Sequence, residues 1–179
     1  MDRDRDSTFS TASVFVGLFL FLTILAIAIR PVRHGRERAT EAQAIGDIRT
    51  IISAEQTFAS VNCGFFDDLV YLCKAGVECR GIPRPDYEGP DFLGADLGRA
   101  SPYKKDGYER RWTPNGSPDP SKCATTPTTS VDYCYMATPS PSTDYSVRSF
   151  VGTGSGAIYV HKEGGPLPCP VPPGTASLE

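Results

Sequence analysis

From Ser7 to Ile29 the chain carries no charge, and it runs on into a polar, proline-free pattern from Glu37 to Ser60. That junction constrains the fold more than any other feature. At about 1.5 Å of rise per residue, the apolar run is long enough as a helix to cross a ~30 Å hydrocarbon layer. The segment after it is rich in helix formers, so the pair predicts one rod, apolar in its first half and amphipathic in its second. The expected boundaries are a polar leader at 1–8, a transmembrane helix at 9–30, a head at 31–162 that includes an amphipathic helix at 37–62, and a proline-rich tail at 163–179. Arg30-Pro31 marks the exit from the apolar half, where proline removes a backbone donor and kinks the rod or starts a new helix. A cleaved secretory signal competes with a retained helix, because Ala26-Ile27-Ala28 is a small-x-small triplet. The run is longer than a usual signal core and the helical pattern continues beyond it, which favours retention.

Six cysteines, Cys63, Cys73, Cys79, Cys123, Cys134 and Cys169, all follow the apolar run. An even count placed outside it suggests disulfides in an oxidising compartment. Spacing does not fix their pairing. The preferred bridge joins Cys123 to Cys134 across a short proline-rich loop, with a second among Cys63, Cys73 and Cys79. The charges flanking the helix argue the other way on orientation. Arg30, Arg33, Arg36 and Arg38 follow it, whereas Arg3 and Arg5 precede it among Asp2, Asp4 and Asp6, so the positive-inside rule would leave the head in the cytoplasm. The cysteines place it outside, and that reading is preferred. The net charge of −3 lacks the basic footprint of a nucleic-acid binder.

In the amphipathic segment Ile45, Ile48 and Ile52 recur at helical spacing, and Ile51 widens the stripe. Glu37, Glu41, Asp47, Arg49 and Glu55 are expected largely on other faces. Such a stripe needs a partner surface, most simply a sheet. Asn62-Cys63-Gly64 is a good helix stop. Strands are expected at 107–113, 132–138, 145–151 and 157–161, with Gly152 to Gly156 supplying a hairpin connection. The tail is expected to be extended or disordered unless Cys169 pins it. The fold class is therefore α+β, a long N-terminal helix packed on a small antiparallel sheet of about four strands.

No catalytic constellation, cofactor motif or metal set emerges from the residues. His34 and His161 lie far apart in the sequence, and no C-x-x-C pair occurs. Asp86, Glu88, Asp91 and Asp96 make an acidic region without the alternating spacing of a calcium loop. Tyr103, Tyr108, Trp112, Tyr133, Tyr135 and Tyr145 suit a sheet core better than a binding face.

The stretch EAQAIGDIRTIISAEQTFAS, followed by a Gly-Phe pair, closely resembles the start of the head in bacterial type IV pilin-like and pseudopilin proteins. The matching positions are Glu41, Ala42, Ala44, Ile48, Arg49, Thr50, Ile51, Ala54 and Phe58. GYERRW, YCYMATPSP and RSFVGTGSGAIYVH are similar to that family's later strands. The resemblance covers roughly Ala28 to Lys162. It implies a pilin-like fold and a structural subunit, not an enzyme and without a cofactor. The subunit would belong to a type IV pilus-like or type II secretion pseudopilus-like filament. Phe15, Gly17, Leu18, Phe21, Leu25, Ala26 and Ala28 would form the assembly helix, its small residues permitting close approach. Ile45, Ile48 and Ile52 would fasten it to the sheet. The implied partners are a membrane and either further copies or other pilin-like subunits. The implied location is the bacterial inner membrane with an extracytoplasmic head, or an extracellular filament. The chain departs from the family at its start: no glycine precedes Phe9 and no glutamate lies in the apolar run. The alternative is a membrane-anchored extracytoplasmic binding module that does not polymerise.

Overall fold

The computed structural model describes residues 11–76, 79–83, 87–118, 126–141 and 148–178; within its first helix the side chains of 11–13, 26–34 and 36 fall outside the description. The leader at 1–8, Phe9, Asp86, Cys123 and Tyr145, and the side chains of Ala26, Ala28 and His34, therefore lie outside the described residues. The chain divides into two compact units, Met1–Arg38 and Ala39–Glu179.

Helix α1 is bounded by Thr11–Val61, and a 3-10 turn follows at Leu69–Tyr71. Six strands come next: β1 Tyr103–Lys105, β2 Tyr108–Asn115, β3 Asp132–Pro139, β4 Ser149–Thr153, β5 Ile158–His161 and β6 Ser177–Leu178. They form one antiparallel meander in sequence order. This corrects the expected fold class. The sheet has six strands and not four, and among the described residues no helix is long and apolar enough to cross a membrane. The two strands that sequence reading missed have three and two residues. Runs so short carry no readable alternation. The third expected strand begins at Ser149 among the described residues, later than position 145. Helix α1 runs through Pro31, so no new helix starts there.

In the second unit, residues of α1 pack on one sheet face. Ala44, Ile48, Ile51, Ile52 and Phe58 meet Tyr108 and Trp112 of β2, Tyr133, Tyr135 and Ala137 of β3, Phe150 of β4, and Ile158 and Val160 of β5. Strand alternation brings these strand residues to one side. Gly152 shows how close the layers lie. A methyl group there would come within 2.6 Å of Ile48 Cγ2 and 3.0 Å of Ile52 Cδ1. The isoleucines thus fill the space that a side chain would need. Burying each large aliphatic side chain stabilises by about 1.5–3 kcal/mol.

The helix ends where the sequence suggests. The Gly64 N–H donates to the Ala59 carbonyl (2.8 Å) and the Asn62 N–H to the Phe58 carbonyl (2.9 Å), with Cys63 and Gly64 at φ +55° and +83°. Left-handed residues here satisfy carbonyls that the last turn would leave open. Disulfides join Cys73 to Cys79 and Cys134 to Cys169. Cys63 is also disulfide-bonded, and among the described residues no cysteine is free. The preferred Cys123–Cys134 bridge is therefore wrong. Cys134 points away from the helix-covered face and meets the tail, a pairing that needs the sheet to exist before it can be seen.

Candidate functional site

Two regions carry the residues singled out above. In the first unit, Val14 to Leu25 present their apolar side chains outward. Phe15 and Phe19 are 71% exposed, Phe21 61%, Leu18 52% and Leu25 45%. Nothing lies within 4 Å of a methyl group placed on Gly17. A continuous apolar face of this kind on a helix marks a surface built to be covered. Its residues carry no charge, and the Thr23 hydroxyl turns inward to donate to the Phe19 carbonyl (2.7 Å).

In the second unit, Ile48 and Ile52 are buried and Ile45 is half-buried against the same core. The expectation for the charged residues of this helix needs correction, because Glu41 and Glu55 are buried. Glu55 follows Ile48 by seven residues and Ile51 by four, which sets it on the apolar stripe. That spacing was the available signal.

These buried charges tie the helix to the rest of the head. Glu55 accepts from the Trp112 indole N–H (2.9 Å) and, at 3.4 Å, from the backbone N–H of Asp67. Burial pushes its carboxyl well above the usual value; these two donors oppose the rise, and the nearby Asp67 and Asp68 carboxylates add to it. Asp67, itself fully buried, accepts from the hydroxyls of Thr126 (2.7 Å), Thr128 (2.6 Å) and Thr129 (2.8 Å), and from the Asp68 N–H (2.8 Å). Phe66 and Ser130 exchange a pair of backbone hydrogen bonds beside it. Arg110 is buried and donates to Asp47 (3.0 Å), which Lys105 also reaches (3.2 Å). Arg148 forms a two-pronged pair with Glu41. Along α1, Glu41, Asp47 and Glu55 thus each engage a different partner across the sheet.

The aromatics are structural. Trp112 stacks on Tyr133 with rings 13° apart, and the Tyr103 and Tyr135 hydroxyls share a hydrogen bond of 2.8 Å. Burial raises both the Tyr133 and the Tyr135 phenol. In the acidic region, Asp91 accepts from the Lys74 N–H and Asp96 pairs with Lys105. Among the described residues no group of three or more His, Cys, Asp or Glu side chains is placed to hold a metal. The buried Glu55 and Asp67 carboxylates face the Trp112 indole, threonine hydroxyls and backbone N–H groups. These pairings tie α1, the segment at 66–68 and the sheet together.

Comparison with known proteins finds no matching family, no matching curated protein and no matching solved structure.

Proposed function

We propose that the chain is a structural subunit of a type IV pilus-like or type II secretion pseudopilus-like filament, assembled through its apolar N-terminal helix. One observation carries this reading: the outward-facing apolar side chains from Val14 to Leu25. In water such a face is unfavourable at about 25 cal/mol per Å² of apolar area, and packing against the same face of another copy removes it. The head fits the reading as a part to be displayed. Its disulfides suit an oxidising space outside the cytoplasm.

Electron microscopy of the assembled full-length chain tests it. Filaments are expected for the natural sequence. Phe15→Ala is expected to weaken subunit association about tenfold or more, because a phenylalanine contributes about 1.5–3 kcal/mol when covered. A full chain that stays monomeric under all assembly conditions, with Phe15→Ala making no difference, would sink the proposal. A second reading has its own support: no carboxylate lies in the apolar run to pair with a neighbour during assembly. It is a binding module that does not polymerise, and a monodisperse chain would favour it.

A further inference from the structure

The proline-rich tail is the part of the head that the filament reading leaves unused. It neither trails off nor merely ends at a cysteine. Leu167 is buried against Cys134, Met136 and Val151 on the sheet face that α1 leaves open, with Cys169 and Val171 packed beside it. The chain then rounds the β5 edge. The Val160 N–H donates to the Ala176 carbonyl (2.9 Å), and β6 pairs with β5 through Ile158–Leu178 and Tyr159–Ser177. Leu178 finally packs against the core under the opposite face, beside Ile52 and Ile158. One segment therefore grips both faces of the sheet across a strand edge that would otherwise be open. Its backbone pairing is short, since β6 has two residues. It departs from the sheet through Gly164 and Gly165, at φ +70° and +95°, a backbone conformation that glycine adopts without strain, with Gly164 hydrogen-bonded to His161.

We propose that residues 164–178 form a clasp whose closed state depends on the Cys134–Cys169 disulfide, and that a dithiol reductant opens it while the helix and strands β1–β4 stay folded. Apart from that bond the clasp is held by the β5–β6 pairing, the Val160–Ala176 and His161–Gly164 hydrogen bonds and three apolar anchors, and the loop the disulfide closes spans 35 residues. Without the bond, the closure entropy falls on a short strand and three apolar anchors. The step is thiol–disulfide exchange. A reductant thiolate attacks the sulfur of Cys169, the less buried of the two residues, and Cys134, buried in the sheet, leaves as thiolate. The second reductant thiol resolves the mixed disulfide. Two electrons pass to the protein, the reductant becomes a disulfide, and both cysteines end as thiols. The Cys73–Cys79 bridge is sheltered, because both residues are buried. Opening uncovers the β5 edge and the apolar patch around Met136 and Val151. The inference holds whether or not the chain polymerises.

Hydrogen exchange on the full-length chain tests it, with trypsin cleavage after Lys162 as a second readout. The oxidised protein is compared with the same protein in dithiothreitol, and with Cys134→Ala/Cys169→Ala and Cys134→Val/Cys169→Ala. The double variants leave the other bridges oxidised, and the valine version refills the buried space. Exchange at the Val160 amide is expected to rise about tenfold or more, with amides of β2 and β3 unchanged. Unchanged Val160 protection in both variants and in reductant overturns the clasp. So does loss of protection throughout the sheet in step with Val160, since the disulfide would then hold up the whole head.

Discussion

Glu55 lies in the core on the same helical face as Ile48, Ile51 and Ile52, and its energetics follow from that position. Its folded carboxyl is raised well above the ordinary value of 4.5. The folded chain therefore holds a proton that the unfolded chain releases. The resulting stabilisation is fully present below pH 4.5 and is lost as pH rises through the raised folded value. Glu55→Gln keeps an acceptor for Trp112 and removes the titration. Its melting temperature, relative to the natural chain, is expected to be higher at pH 8 than at pH 4; equal differences at the two values would refute the assignment. Asp67 calls for a different test. Asp67→Ala leaves three threonine hydroxyls and one backbone N–H without their acceptor, and is expected to cost about 3 kcal/mol in urea unfolding. Arg110 is buried with Nε and Nη1 lacking a partner among the described residues, so its one ion pair with Asp47 matters. Asp47→Asn is expected to destabilise by about 3–5 kcal/mol, because it strands a buried guanidinium.

At the scale of elements, the contact of α1 with β4 is the most constrained. Gly152→Ala pushes a methyl group into Ile48 and Ile52 and is expected to cost about 1–3 kcal/mol. Ile48→Ala alone opens a cavity and costs about 2–5 kcal/mol. Combined, the two changes partly cancel, because the alanine at 48 removes the methyl that the new Cβ would strike. A double-mutant cycle in denaturant measures that coupling, and strict additivity would show that the two layers do not touch there. The helix itself was legible from residues 37–62, since its stripe repeats over several turns. Strands β2, β3 and β5 were legible to within two residues at either end from their aromatic and β-branched runs. Strands β1 and β6 were not, because pairing with a neighbour creates them and their own composition does not.

At the scale of the whole molecule, the apolar helix face and the head answer to different measurements. Among the described residues Val14 to Leu25 are exposed, so Phe15→Asp removes no packing seen there. It is expected to leave the thermal unfolding of the head within about 0.5 kcal/mol and, on the proposed filament reading, to abolish assembly. A fall in head stability that matched the loss of filaments would tie the two together and undo the separation. The uncharged run was readable, as it needs no tertiary structure to announce itself.

The amphipathic stretch of the helix, its isoleucine stripe and the helix stop at Asn62 to Gly64 were set by the sequence alone, because each rests on local periodicity or on a single residue's backbone preference. Tertiary structure alone decided which cysteines meet, that Asp67 sits in the core, and that the tail closes around the β5 edge. Each of those depends on groups far apart in the chain arriving at one place. Local pattern carries no record of such distances until the sheet has formed.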